Sequence, residues 1–207
     1  MKRTIASLLI LILIMSACAF AETVAPSVTV SQIVVPTGNV EIADDFVVAL
    51  NTIAEDSAEK KVFDEIEAFV AEEPVADYFG EEVMTAAAEY LPEEFDTTAL
   101  VVDEFFALSE ENYAADYGDV TASFEFITPY EDGTVLLAMV GILPDEEVVT
   151  TEEGETEEAA ITWIPQQAVV SEGKVQISFT QEILEMLKNN NCVCALLRAD
   201  TAAEIEE

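Results

Sequence analysis

The chain predicts an α+β fold: a helix-containing N-terminal half followed by a mostly antiparallel β C-terminal half, sandwich-like, with one short helix. Three observations carry that expectation. Apolar residues recur at helical spacing in two stretches that stop at Pro74 and Pro92. From Val120 onward, apolar and polar residues alternate with a period of two. Turn-forming residues at 129–133 and at Gly173 connect those runs as hairpins do. Helices first and strands later, rather than a repeated strand-helix alternation, favour α+β over a parallel wind.

In chain order, residues 1–21 read as a secretory signal. Lys2 and Arg3 precede an apolar run from Ile5 to Met15, and small residues end at Ala19-Phe20-Ala21. The run is shorter than the roughly 20 residues a membrane-spanning helix needs. Met15-Ser16-Ala17-Cys18 is similar to a bacterial lipobox and offers a second route, with Cys18 as a lipid-carrying N-terminus. The expected location is therefore secreted or cell-surface, alternatively lipid-anchored to the outer face of the membrane, with no membrane span.

Residues 22–45 contain Pro26 and Pro36 and read as a linker or an edge strand through 28–35. A helix-containing lobe is expected over 46–118. It opens with the β-branched run 46–53 as a strand, followed by a helix capped at Asp56 with Glu59 three residues on. Val62, Phe63, Ile66, Phe69 and Val70 share one face of that helix, and acids and lysines the other. A second helix is expected over 81–91, with Val83, Met84, Ala87, Ala88 and Leu91 packing inward. Residues 95–108 are ambiguous between a strand at 99–102, a strand at 104–108 and a short helix.

An antiparallel β lobe is expected over 119–200. Val120, Ala122, Phe124 and Phe126 alternate with polar residues and form a half-wet strand, whereas 134–143 is apolar on both faces, as a central strand is. Residues 159–170 form a strand broken or bulged at Pro165, and 175–179 alternate again. Thr180 caps a short helix through Ile183, Leu184 and Leu187, with Lys188 at its negative end. Residues 192–199 make a last buried strand, and 201–207 an acidic tail.

Composition bounds function. The chain holds 43 Asp and Glu against 7 Lys and Arg, has no histidine, and carries a formal charge of −36. Phosphate recognition relies on clustered Lys and Arg, so nucleic acid is excluded as a partner class. At 51% hydrophobic residues the chain has the apolar content to close a core, unlike a disordered acidic segment.

Residues 117–120, 128–135, Thr162-Trp163 and 173–180 together resemble modules of small exported proteins of anaerobic gut-type bacteria, over about the last 90 residues. That resemblance implies location and fold, and no activity.

Chemistry follows by subtraction. Lack of histidine removes Ser-His-Asp and Cys-His catalysis and imidazole metal ligation. Ser57-x-x-Lys60 meets the bare S-x-x-K spacing, but it sits at a helix start and lacks companion motifs. Cys192 and Cys194 point the same way on a strand and read as small buried hydrophobes, with a disulfide or redox role as the competing reading. The densest acidic run, 145–158, makes Glu152, Glu153, Glu155, Glu157 and Glu158 candidate ligands for weak Ca²⁺ binding, although they lack the spacing of an EF-hand loop. No catalytic residue and no other cofactor is expected. The leading expectation is a non-catalytic exported protein, a binding or structural module for an extracellular ligand or protein. The alternative is a carboxylate-dependent hydrolase or weak Ca²⁺-dependent binding protein.

Overall fold

The computed structural model describes residues 28–34, 46–92, 97–144, 149–150, 156–157 and 160–199. Its centre is one eight-stranded sheet built from β1 (Val28–Val34), β2 (Val47–Asn51), β3 (Leu100–Glu111), β4 (Val120–Phe126), β5 (Val135–Ile142), β8 (Thr162–Ser171), β9 (Lys174–Phe179) and β10 (Cys192–Ala199). The strand order is β1-β4-β9-β8-β5-β10-β3-β2, antiparallel at every step. Strands from both 46–118 and 119–200 share this sheet. A separate two-stranded hairpin pairs β6 (Val149–Thr150) with β7 (Thr156–Glu157), inside the acidic run.

The mixed α+β content is as expected, but the sheet is barrel-like, not sandwich-like. The ladder runs unbroken through all eight strands and curls until its edges, β1 and β2, come within 8 Å of each other, Cα to Cα. Strand twist accumulates in one direction, and a sheet of this width meets itself instead of dividing into two layers. No ladder joins β1 to β2 among the described residues.

The interior is filled by one apolar cluster to which every strand of the sheet contributes. Val48, Phe106, Phe124, Val140, Ala168, Ile177 and Leu196 belong to it, and Val30 of β1 packs against it. Period-two alternation explains β4 and β9, whose opposite face carries Thr121, Glu125, Lys174 and Ser178 in cross-strand pairs. β5 and β10 are apolar on both faces because the outer face of this part of the sheet is covered by helices. The helix α4 (Gln181–Asn189) packs Ile183, Leu184 and Leu187 into the interior. The Thr180 hydroxyl caps it by accepting from the Ile183 N–H at 3.4 Å, and Asp119 accepts from Gln181 at 3.0 Å.

The outer layer comprises α1 (Ala58–Val70), α2 (Val75–Phe79) and α3 (Glu81–Ala87), the last continued by a 3₁₀ turn, Ala88–Tyr90. The α1 cap is Ser57, one residue beyond the expected Asp56. Its hydroxyl accepts from the Lys60 N–H at 3.2 Å, so the first helical turn forms around the later of two competent side chains. Val62 and Ile66 are buried and Phe63 and Phe69 half-buried, but Val70 and Ala88 are exposed where their helices run off the sheet. The short helix α2 was not expected; Pro74 starts it and Gly80, at φ +82°, separates it from α3. Tyr78 and Phe79 from α2 meet Trp163 of β8 edge-on, at centroid distances of 6.2 and 4.9 Å.

Two strand details differ from expectation, and a third selects between stated alternatives. The ambiguous stretch before Leu108 is a single strand, β3, in which the pairing skips Asp103: Leu196 faces Glu104 and Leu197 faces Val102. A bulge at one polar residue makes one strand look like two. Pro165 neither breaks nor bulges β8, whose register with β5 is continuous from Thr162 to Val169. Pairing with β9 begins only at Ala168, so the missing proline N–H lies on a stretch with one neighbour. Residues 28–34 are the edge-strand alternative, with a register shift between Val30 and Gln32.

Gly141 of β5 makes room for the side chain of Trp163, its cross-strand partner on β8. A Cβ there would lie 2.6 Å from Cζ3 of Trp163. Gly141→Val is expected to displace the indole and destabilise the fold by about 1–3 kcal/mol, measurable by denaturant unfolding followed through the single tryptophan. An unchanged midpoint and emission maximum would contradict this packing.

Candidate functional site

One mouth of the barrel holds a cavity of 660 Å³ whose walls include Asp103, Glu104, Thr128, Tyr130, Glu131 and Arg198. Local structure explains each polar member. Along β10 the inward positions are Cys192, Cys194 and Leu196, and the next is Arg198, where the interior opens. Arg198 pairs with Val101 on β3, and the bulge residue Asp103, two positions along, bonds its side chain. Tyr130 sits on the loop between β4 and β5, held by a turn from Glu131 to Thr134 and by Asp132, which accepts from the Gly173 N–H at 3.2 Å. Its ring packs edge-on against Phe126 at 5.4 Å.

These three side chains bond one another. Arg198 Nε donates to Asp103 Oδ1 at 2.9 Å, and the Tyr130 hydroxyl donates to Asp103 Oδ2. The ion pair is partly wet, with side chains 36% and 23% exposed, so its Coulomb contribution is modest. Burial, reinforced by the Asp103 hydrogen bond, pushes the Tyr130 phenol well above its usual range and keeps it a neutral donor. Arg198 engages Asp103 through Nε, leaving its terminal nitrogens as donors toward the cavity.

None of the candidates named from sequence is among the residues described at this mouth. Glu152, Glu153, Glu155, Glu158 and Cys18 are outside the described residues, and Glu157 is described only by its place in β7. Among the described residues there is no group of three or more potential metal ligands. Ser57 and Lys60 form the cap of α1, with the Lys60 ammonium bonded to Asp64 one turn on, which accounts for the S-x-x-K spacing without catalysis. Cys192 and Cys194 are free thiols in the interior. Burial raises Cys192 to about 12 and moves Cys194 further in the same direction, so neither is poised as a thiolate. No helix among the described residues is long and apolar enough to cross a membrane.

Sequence reasoning missed the mouth. Its traces were an arginine ending the apolar run 192–197 and an aspartate dividing two apolar runs at 103. At a second polar position, inside the barrel, Glu110 is 6% exposed, and its Oε2 accepts from the Tyr113 N–H at 2.8 Å. Oε1 has no partner among the described residues.

Glu110→Gln keeps the acceptor for Tyr113 without a charge to bury and is expected to match or exceed the parent in unfolding midpoint. Glu110→Ala strands the Tyr113 N–H and is expected to lose about 1–3 kcal/mol; equal loss in both variants would contradict this role. The raised phenol and thiols give a separate expectation. Their contribution to stability is complete below the ordinary thiol value of 9.0. It declines above that pH, because the unfolded chain releases protons that the folded chain retains. Denaturation at pH 8 and at pH 10.5 checks it, and Tyr130→Phe should flatten part of the decline.

Comparison with known protein families, with curated proteins and with solved structures finds no match, so the functional reading rests on the chemistry of this chain.

Proposed function

We propose that the chain is a non-catalytic exported protein, a secreted or cell-surface binding module whose ligand enters the barrel mouth at Arg198, Asp103 and Tyr130. The observation that carries the reading is the mutual commitment of these groups. Both oxygens of Asp103 and the hydroxyl of Tyr130 are spent on one another and on Arg198. A general base or nucleophile must instead be available to substrate, with its affinity for protons tuned to the reaction. A rigid, satisfied polar set on a filled barrel suits recognition.

Export is supported by the leader-like order of residues 1–21. The excess of acids repels polyanions and maintains solubility outside the cell, so partners are neutral or cationic molecules or proteins of that character.

The test pairs location with turnover. The full chain, expressed in a bacterium, is expected in a processed form outside the cytoplasm. The purified product is expected to leave a panel of glycans and peptides intact. Turnover abolished by Asp103→Asn would overturn the non-catalytic reading, and unprocessed product in the cytosol would overturn export.

A further inference from the structure

We propose that the barrel mouth binds a neutral polyhydroxylated ligand, a saccharide ring laid on Tyr130 with its hydroxyls bridged between the Arg198 guanidinium and the rim carboxylate of Glu131. The inference rests on the binding-module reading and adds the ligand class.

Charge narrows the class first. Among the described residues Arg198 is the one cation lining the cavity and is already paired with Asp103, while Glu104 and Glu131 add negative charge at the wall. A phosphate or carboxylate ligand would meet that excess without an unshared cation to offset it. A cationic ligand would be drawn by Glu104 and Glu131 but would share the cavity with the Arg198 guanidinium, and Asp103 already accepts from Arg198 and Tyr130, so spermidine is the probe that separates this class from a neutral one. An uncharged ligand meets neither penalty.

Hydrogen-bond chemistry narrows it further. The wall mixes donors that cannot accept, the guanidinium nitrogens, with an acceptor that cannot donate, the Glu131 carboxylate, and with the Thr128 hydroxyl, which does both. Adjacent hydroxyls each accept from one group and donate to another. A vicinal diol therefore satisfies such a wall, and a planar guanidinium holds two neighbouring oxygens at once.

The third observation is the aromatic surface. Tyr130 is half-buried, in a T-shaped contact with Phe126 and with its hydroxyl tied to Asp103, so the ring is held before any ligand arrives. The electron-rich face of such a ring attracts the C–H-bearing face of a pyranose, by the quadrupole effect that orients aromatic pairs. A cavity of 660 Å³ is of the size usual for small-molecule sites.

The experiment is ligand-observed saturation-transfer NMR on the purified chain, followed by calorimetry. Probes are neutral mono- and oligosaccharides of glucose, galactose, xylose and N-acetylglucosamine, run beside inorganic phosphate and spermidine. A neutral saccharide is expected to receive saturation, most strongly at its ring C–H protons. Thr128→Val and Glu131→Gln, both exposed and remote from the core, should each weaken it. Arg198→Lys should weaken it by about tenfold while retaining the charge beside Asp103. Circular dichroism establishes that each variant folds.

Binding of phosphate or spermidine alone, lost in Arg198→Lys or Glu131→Gln, would overturn the saccharide class and leave the binding-module reading in place. Saccharide binding unchanged in all three variants would overturn the site, and silence from every saccharide with a folded protein would overturn the inference. Cleavage of a bound oligosaccharide would support the ligand class and sink the non-catalytic reading.

Discussion

Two-sided burial of β5 and β10 is the constraint on which the structure depends. Leu136, Ala138, Val140, Cys194 and Leu196 face the barrel interior, while Leu137, Met139, Ala195 and Leu197 face the helix layer, and all are 2% exposed or less. These two strands are the shared wall of both cores. Apolar burial stabilises by about 25 cal/mol per Å², so a strand buried on both faces is held more firmly than one wet on a side. β3, β8 and the three outer helices gain their positions by packing on this wall.

Much of this was legible because burial writes directly into residue type. Alternation in 120–126 and 174–179 gives half-wet strands, continuous apolar character in 135–142 and 192–197 gives central ones, and Pro74 and Pro92 bound the outer helices. The rest depends on pairing between distant segments, which leaves no local mark. Whether 28–34 is a linker or a strand is decided by pairing with β4, far along the chain, and a sheet's curling into a barrel is decided by accumulated twist. The bulge at Asp103 misled for a related reason, since only its partner Leu196 shows that the two apolar runs belong to one strand.

The mouth was less legible than the fold. Arg198 and Asp103 are 95 residues apart in the chain, and Tyr130 comes from a third element, so no spacing links them. The acidic richness that dominates the composition also hid Asp103, an acid with a structured role at the cavity. Aspartate and glutamate are so frequent here that a single carboxylate carries little information until its neighbours are known. Conversely, an arginine is rare enough in this chain that its position at the open end of an apolar strand is informative in itself.

The approach of β1 to β2 bears on how the molecule behaves among copies of itself. An open sheet ends in rows of unpaired amide and carbonyl groups, on which another chain can lay down a further strand and start a fibre. Here the two rows confront each other across less than the roughly 9.6 Å that an intervening strand occupies. A visitor must first prise the seam apart, so the curl of the sheet protects a protein whose crowded carboxylates already keep its neighbours at a distance.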